Sequence, residues 1–382
     1  MKTNLKKLLY SGVTLMSLGV LAACSSTSSS TTTSSSVTTS QSSTTSSNST
    51  SSNSSSSSID WSALPTTEVT LSNDGLKITE GGTYILTGST IAGVTVETDA
   101  NVRIILAGAE ISSSDTAAIN VISADNVEIE LQDGTENTVK DTSSHSDTNI
   151  EGAIHIEADF TITGNGNLTV EGNFQDGIVS TDDLVINAGN ITVTAVDDGI
   201  RGKDSLTITG GTIDVTAGGD GIKSTNDTDT TKGYTTITGG DITVKAGDDA
   251  IKAETALTID GGTITVPVSL EALEGTNITI NGGTLDVYGS DDAINAASTT
   301  STEIFIKVTG GDLKVAVGSG DTDAFDANGD IYISGGTIAV TAQSAFDFDG
   351  TVEFTGGTVT VNGEQITQIT ATGPGAGGHG GW

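Results

Sequence analysis

Acidic residues recur at one position of a short phrase, Asp-Gly-Ile or Asp-Ala-Ile, that returns along the chain. Aligned on this phrase, seven residues share that position: Asp176, Asp198, Asp220, Asp249, Glu271, Asp292 and Asp323. If the copies stack as neighbouring parallel strands, these carboxylates lie about 4.8 Å apart. At an effective dielectric of about 20, two carboxylates at that spacing repel by roughly 3.5 kcal/mol. The column therefore requires cations.

Basic residues provide one source of positive charge. Arg201, Lys223 and Lys252 each follow an acidic residue of the column by three positions, and Lys203 lies close by. In a stack, Arg201, Lys223 and Lys252 fall in register beside the carboxylates. We expect the four basic residues to bind an acidic ligand directly, or to neutralise the column.

Calcium is the second source. Ca²⁺ takes six to eight oxygen ligands in flexible geometry, and the loop Asn226-Asp227-Thr228-Asp229 adds oxygens just after Lys223. No Glu closes a twelve-residue loop there, so the EF-hand pattern is absent. The alternative hypothesis is a solvated acidic edge with structural Asx turns at each corner.

The elements that must position these residues are short strands joined by glycine turns. Two-residue turns at 189, 210, 239, 261, 282, 310, 335 and 356 start 21, 29, 22, 21, 28, 25 and 21 residues apart. A period of about 21 residues without a helical pattern favours stacked coils over a propeller blade, which needs about 40–50 residues, and over an antiparallel sandwich. The sequence predicts an all-β, right-handed parallel β-helix of about 21–22 residues per coil, with loop insertions.

The ends of the chain predict export and anchoring. Residues 1–23 have a basic start and a short apolar core, and Leu21-Ala22-Ala23-Cys24 resembles a bacterial lipobox. We expect lipidation of Cys24, a disordered Ser/Thr-rich linker over 24–58, a β-helix domain over 59–365 and a flexible tail over 366–382. The protein would then sit on the extracellular face of the membrane, attached only by its lipid. An uncleaved anchor or an ordinary secretory signal is the alternative.

Composition excludes some partners and some sites. A formal net charge of −35 leaves no basic footprint for nucleic acid. The three histidines, His145, His155 and His379, are scattered beside no nucleophile, so we expect surface histidines rather than a hydrolytic or zinc site. We also expect a monomer.

Four motifs carry a family resemblance: GTENTV at Gly134, GNFQDGI at Gly172, DDGIRGKDSLTITGG at Asp197 and GGDGIKSTNDTDTTKGY at Gly218. Over roughly residues 60–365 the chain resembles the clostridial cellulose- and acid-sugar-binding β-helix proteins, whose fold is like that of pectate-type lyases. The resemblance implies Ca²⁺ and binding of plant-wall polysaccharide without established cleavage. The calcium ligands that it implies are Asp197, Asp198, Asp220, Asn226, Asp229, Asp248 and Asp249. The phrase is replaced by LEALE from Leu270, so the resemblance extends this metal row no further than residue 270.

Three functions follow from these patterns. The first is a cell-surface protein that binds cellulose or an acidic polysaccharide through calcium. The second is a calcium-dependent pectate-type lyase, in which Lys223 or Lys252 would act as the base. The third is a surface adhesin or structural spacer, which the Ser/Thr-rich linker suits equally well.

Overall fold

The computed structural model describes residues 59–320 and 322–372. The predicted signal peptide, Cys24, the predicted linker over 24–58 and residues 373–382 of the predicted tail lie outside this part. Among the described residues, no helix is long and apolar enough to cross a membrane.

The described residues form 34 strands and one 3-10 turn, Trp61–Ala63. The first twelve strands are β1 (Thr66–Leu71), β2 (Leu76–Ile78), β3 (Gly82–Thr90), β4 (Val94–Glu97), β5 (Val102–Ser112), β6 (Ile119–Ser123), β7 (Asn126–Leu131), β8 (Glu136–Lys140), β9 (Gly152–Ile156), β10 (Asp159–Gly164), β11 (Asn167–Gly172) and β12 (Asp176–Ser180). The next eleven are β13 (Asp183–Ile186), β14 (Asn190–Ala195), β15 (Ile200–Gly202), β16 (Ser205–Ile208), β17 (Thr212–Ala217), β18 (Ile222–Ser224), β19 (Tyr234–Ile237), β20 (Asp241–Lys245), β21 (Ile251–Ile259), β22 (Thr263–Val268) and β23 (Leu273–Ile280). The last eleven are β24 (Thr284–Gly289), β25 (Ile294–Ala296), β26 (Phe305–Val308), β27 (Asp312–Val317), β28 (Asp323–Ala327), β29 (Asp330–Ile333), β30 (Thr337–Thr341), β31 (Ser344–Phe348), β32 (Val352–Phe354), β33 (Thr358–Val361) and β34 (Glu364–Ile366).

The strands stack into three parallel ladders. The first ladder includes β7, β10, β13, β16, β19, the second half of β21, the second half of β23, β26, β29 and β32. The second includes β8, β11, β14, β17, β20, β22, β24, β27, β30 and β33. The third includes β9, β12, β15, β18, the first halves of β21 and β23, β25, β28 and β31. Within each ladder the strands pair in parallel with their neighbours in adjacent coils, which is the arrangement of a parallel β-helix, and β34 pairs antiparallel with β33 at one end. The prediction of an all-β parallel stack is confirmed.

Register follows the repeated phrase. In the third ladder, Ile178, Ile200 and Ile222 pair successively at intervals of 22 residues, whereas Ile222 pairs with Ile251 after 29. The larger interval accommodates the loop that begins after Ser224. Loops of different length therefore leave the coils aligned.

The core runs through the centre of the stack. Strand alternation sends Ile191 and Val193 inward from β14, where both are buried, while Thr192 and Thr194 face outward. Each buried aliphatic side chain contributes about 1.5–3 kcal/mol. Glycine makes the turns between ladders: Gly211 has a φ of +98°, a conformation that other residues rarely adopt. The inward hydrophobic positions are what hold the outward polar columns in register.

Candidate functional site

The acidic column is held by a repeated hydrogen bond between successive coils. Oδ1 of Asp176 accepts from the backbone N–H of Asp198 at 3.1 Å, Oδ1 of Asp198 from that of Asp220 at 2.9 Å, and Oδ1 of Asp220 from that of Asp249 at 3.0 Å. These residues are buried, with at most 7% of the surface exposed. The predicted alignment of these acids is confirmed. One oxygen of the Asp176, Asp198 and Asp220 carboxylates is thereby fixed to the backbone.

The other carboxylate oxygens pair with the basic residues. Arg201, Lys223 and Lys252 occupy one register position of successive coils, as the sequence predicts. Nη2 of Arg201 lies 2.8 Å from Oδ2 of Asp176. Nζ of Lys223 lies between two coils, 2.5 Å from Oδ2 of Asp198 and 2.9 Å from Oδ2 of Asp220. Internal cations thus neutralise the first part of the column.

Lys252 is shared by two acids. Its Nζ lies 2.7 Å from Oδ2 of Asp249 and also pairs with Glu274 of the next coil. Burial, followed by the neighbouring Glu274, raises the pKa of Asp249, while Lys252 acts in the opposite direction. Burial raises the pKa of Glu271 as well, to about 7. Three carboxylates, those of Asp249, Glu271 and Glu274, thus surround the single ammonium group of Lys252.

Carboxylate oxygens converge at two places in this region, where acidic residues outnumber basic ones. Asp220, Asp248 and Asp249 form one triad and Asp249, Glu271 and Glu274 form a second, with the oxygens of each triad within 4.8 Å of one another. Since Ca²⁺–oxygen distances are about 2.3–2.6 Å, such a span suits ligands around one ion. The donor sets are all hard oxygen, so the residues fit Ca²⁺. The second triad extends beyond residue 270, where the family resemblance ends the metal row.

Three of the predicted calcium ligands lie in these triads, and the others lie elsewhere. Asp197 and Asp198 belong to the preceding coil, where burial, followed by the charge of Asp198, raises the pKa of Asp197. Oδ1 of Asn226 accepts from the backbone N–H groups of Thr228 and Asp229 within its own loop. Their role as ligands stays a prediction.

The loop that contains Asn226 is tied to a second acidic group. Nδ2 of Asn226 donates to Oδ1 of Asp204 at 2.6 Å, and Lys232 pairs with the other oxygen of Asp204. Oδ1 of Asp229 accepts from the N–H and hydroxyl of Thr231. Lys203, predicted to contact ligand, is exposed. These contacts fix the loop as one wall of a groove.

A groove of about 760 Å³ lies between this loop and the loop that follows β25. Asn226, Tyr234, Lys252, Glu274, Asn277 and Asn328 are among the residues that line it. Its lining residues come from five successive coils, represented by Tyr234, Thr255, Gly275, Ala297 and Asn328. Four steps between strands span about 19 Å. Because Lys252 and Glu274 line the floor, the second triad borders the groove.

Sequence reasoning missed the role of Glu271 and Glu274 in the second triad. Glu271 already stands in the acidic column of the aligned phrase, so the signal was present. Glu274 occupies the register position of Lys252 in the next coil. Glu274 could have been recognised from this reversal of charge, because the same position is basic in the preceding coils.

The expectation of surface histidines is wrong for the two that the structure describes. His145 and His155 are 7% and 3% exposed. Nε2 of His145 lies 2.9 Å from Oδ2 of Asp141, and its ring stacks on Phe174 with centroids 4.4 Å apart. Burial lowers the pKa of His155 to about 4. Loop and coil packing, which local sequence does not reveal, encloses both rings.

The fold and the site define a parallel β-helix protein that has a buried acidic column with paired cations and a long polar groove beside it. A family model described as carbohydrate-binding domain-containing protein matches residues 72–324. The chain belongs to this family. A relative from Acetivibrio thermocellus, also described as a carbohydrate-binding domain-containing protein, is 36% identical over 135 residues, which cover 33% of this chain and 47% of the relative. The chain thus matches about half the length of that relative.

A solved structure also resembles this chain. It is described as the polysaccharide lyase-like protein from C. thermocellum, gadolinium derivative. The two are 37% identical with a TM-score of 0.51, and the match covers 53% of this chain and 90% of the solved one. This similarity agrees with the β-helix fold.

Proposed function

We propose that this protein binds polysaccharide without cleaving it, through calcium ions held on a right-handed β-helix with coils of about 21–22 residues. The groove beside the second triad is the observation that carries the proposal. A groove about 19 Å long crosses five coils, and its lining offers amides, hydroxyls and one ammonium group. A path of that length suits several linked sugars better than a single one.

Calcium would join the acidic column to an acidic sugar. The groove has Asp227, Asp229, Glu254 and Glu274 in its wall against the single cation Lys252, so a polyuronate is repelled unless another cation intervenes. Ca²⁺ on the second triad would accept a uronate carboxylate as a further oxygen ligand.

The protonation state of Lys223 and Lys252 supports binding of polysaccharide rather than its cleavage by a lyase mechanism. Burial lowers the pKa of Lys223, but the charges of Asp220 and Asp198 more than offset it and leave that pKa raised. The same balance, with Asp249 and Glu274 as the partners, raises the pKa of Lys252. A base must be unprotonated near the working pH, and these two ammonium groups stay charged.

Display at the cell surface completes the proposal. Cys24 would carry the lipid, and residues 24–58 would hold the domain away from the membrane on its extracellular face. The attachment would leave the groove of a monomer open to external polysaccharide. Labelling of the wild-type chain by a radioactive fatty acid in cells, lost in a Cys24→Ser variant, tests this part separately.

The test of binding is retention of the full-length chain, in mild detergent, on polygalacturonate gel and on insoluble cellulose. Each matrix is run with millimolar Ca²⁺ and with EDTA, while melting is followed in both buffers. We expect Ca²⁺-dependent retention on polygalacturonate by a chain that stays folded in EDTA. A Glu274→Gln variant should lose that retention, and an Asp286→Asn variant, altered at an exposed site, should keep it.

Other outcomes decide against the proposal. Absence of retention on both matrices favours the adhesin or spacer. Ultraviolet absorbance from unsaturated product on polygalacturonate would instead establish a lyase. Unfolding of the protein in EDTA would mean that Ca²⁺ is required for the fold, and it would contradict a role for Ca²⁺ at the ligand site.

A further inference from the structure

A second concave surface lies on the outer face of the first ladder, where β26, β29 and β32 lie side by side. We call it the aromatic cleft; its volume is about 490 Å³, and its charged and aromatic lining residues are Glu303, Phe305, Lys307, Asp330, Tyr332 and Glu353. The rings of Phe305 and Tyr332 meet edge to face, with centroids 6.2 Å apart at 67°. Ligand sites commonly combine such apolar surface with a few polar groups.

The cleft is rigid on its aromatic side. The hydroxyl of Tyr332 donates to Oδ2 of Asp330 at 2.7 Å, and Oδ1 of Asp330 accepts from the N–H and hydroxyl of Thr351. Lys307 and Glu353 flank Tyr332 at the same register position of the neighbouring strands. The tyrosine ring is therefore held in one orientation before any ligand arrives.

The fold itself does not require aromatic residues here. In the preceding coils the position of Tyr332 is occupied by Thr236, Thr258, Thr279 and then Lys307. The inward neighbours of Tyr332, Ile331 and Ile333, are buried and already serve the core. Aromatic residues make up 4% of the chain, so two of them in contact on an outer face call for an explanation other than strand packing.

The aromatic cleft continues the line of the groove. Phe305 pairs in register with Asn277, and Asn277 pairs with Ala256. Tyr234 stands opposite Ala256, because the next residues, Thr235 and Leu257, are partners. Tyr234, Ala256 and Asn277 line the groove, so its floor leads to the cleft along one column. Tyr234 and Phe305 are three strand steps, about 14 Å, apart.

We propose that the aromatic cleft is a second saccharide site, which stacks a pyranose ring of a neutral polysaccharide on Phe305 and Tyr332. The bound polysaccharide lies parallel to the axis of the β-helix and extends from the cleft toward Tyr234 in the groove. This inference rests on polysaccharide binding as the function but is independent of calcium. The apolar face of a pyranose covers aromatic carbon, and its hydroxyls donate to the carboxylates at the rim.

The charge of the cleft selects the class of sugar. Glu303, Asp330 and Glu353 supply three carboxylates against the single ammonium group of Lys307. A uronate in the cleft would be repelled, whereas neutral hydroxyls find acceptors there. The cleft therefore favours neutral sugars, whereas the groove would take acidic sugars if Ca²⁺ binds the second triad.

Calorimetric titration of the full-length chain with cellohexaose and mannohexaose, in EDTA, tests the proposal. We expect binding of at least one of these neutral hexasaccharides by the wild-type chain. Phe305→Ala and Tyr332→Ala should each weaken it about tenfold or more, since burial of an aromatic face contributes about 1.4 kcal/mol or more. Tyr288→Ala, at an outward-facing tyrosine of the second ladder, is the matched control and should bind as wild type.

Three further variants separate stacking from folding. Phe305→Leu and Tyr332→Leu keep apolar bulk without a flat ring, and both should fold but lose neutral-sugar binding. Tyr332→Phe keeps the ring and should change affinity by less than about threefold. Melting of each variant is measured alongside.

The outcomes are distinguishable from those for the groove. Neutral binding that survives in the Phe305 and Tyr332 variants, or no heat with either hexasaccharide, overturns the aromatic site. Retention of the same variants on polygalacturonate with Ca²⁺ is unaffected by that result and reports on the proposed function alone. A chain that binds neither class of sugar contradicts both.

Discussion

Asp220 and Asp249 lie in neighbouring coils, and Oδ1 of Asp220 accepts a hydrogen bond from the backbone N–H of Asp249 at 3.0 Å. The same bond links Asp176 to Asp198 and Asp198 to Asp220. The carboxylates of Asp176, Asp198 and Asp220 are therefore structural acceptors on Oδ1 and partners of Arg201 or Lys223 on Oδ2. This division lets a column of acids stabilise the stack and still offer ligands.

Lys252 should stabilise the fold through the two acids that it joins. Lys252→Met keeps the aliphatic stem but leaves Asp249 and Glu274 facing each other without a cation. We expect a loss of about 2–4 kcal/mol in the free energy of unfolding, measured by denaturant titration at neutral pH in EDTA. Lys314→Met removes an ion pair in which both side chains are mostly exposed, so it should cost less than about 1 kcal/mol. Equal losses in the two variants would contradict this account.

Ca²⁺ should stabilise the folded chain through the second triad. A ligand that binds only the folded state at about one hundred times its Kd raises the free energy of unfolding by about 2.7 kcal/mol. Glu271→Gln should reduce this gain in a calorimetric melt with and without millimolar Ca²⁺. The exposed control Asp286→Asn should retain the full gain. A Ca²⁺ effect that is the same in Glu271→Gln would remove that residue from the site.

Stability in EDTA should fall as the pH rises between about 4 and 7 because of Asp326. Burial, followed by the charges of Asp292 and Asp323, raises its pKa from 3.8 to about 7. The folded chain therefore holds this proton more tightly than the unfolded chain, and its contribution to stability is present below pH 3.8 and lost as pH approaches 7.

The Asp326→Asn variant tests whether the stability of the protein falls as the pH rises. It should be more stable than wild type at pH 8, by about 1.4 kcal/mol for each unit of pKa shift that it removes, and the difference should shrink toward pH 4. Denaturant titrations across this pH range measure it. Asp312→Asn, at an exposed strand start, serves as control and should show no such trend. A gain that does not depend on pH would contradict the assigned cause.

A side chain at Gly199 should destabilise the fold. A Cβ there would lie 2.3 Å from Cγ1 of Val215 and 2.4 Å from the carbonyl oxygen of Gly221. We expect Gly199→Ala to cost about 1–3 kcal/mol through overpacking, measured as a shift of the denaturant midpoint. At Gly275 the nearest atom lies 3.4 Å from the position that a Cβ would occupy, so Gly275→Ala should be neutral or slightly stabilising. A cost at Gly275 as large as that at Gly199 would refute the steric explanation.

The repeated phrase was sufficient to predict the stack and its columns. Alternation of inward Ile and Val sets which residues face outward, and a shift of one residue would bury the polar set, so register is strongly specified. For this reason the sequence could predict that Arg201, Lys223 and Lys252 occupy the same register position of neighbouring strands. The acidic column followed from the same alignment.

Contacts between positions that are distant in the chain depended on the tertiary structure. Gly199 and Ala250 are equivalent in the aligned phrase, yet only the approach of Val215 shows why the first must be glycine. The phrase placed Glu271 in a column but did not show that Glu271, Glu274 and Asp249 converge.

The sequence by itself determined the parallel stacking and the alignment of the columns, because these depend on alternation and on a repeated phrase. Only the tertiary structure decided which outward groups meet: Lys252 shared by two acids, His145 and His155 enclosed, and Phe305 against Tyr332. These contacts depend on the path of the inserted loops and on the direction of the side chains, which local sequence patterns do not encode.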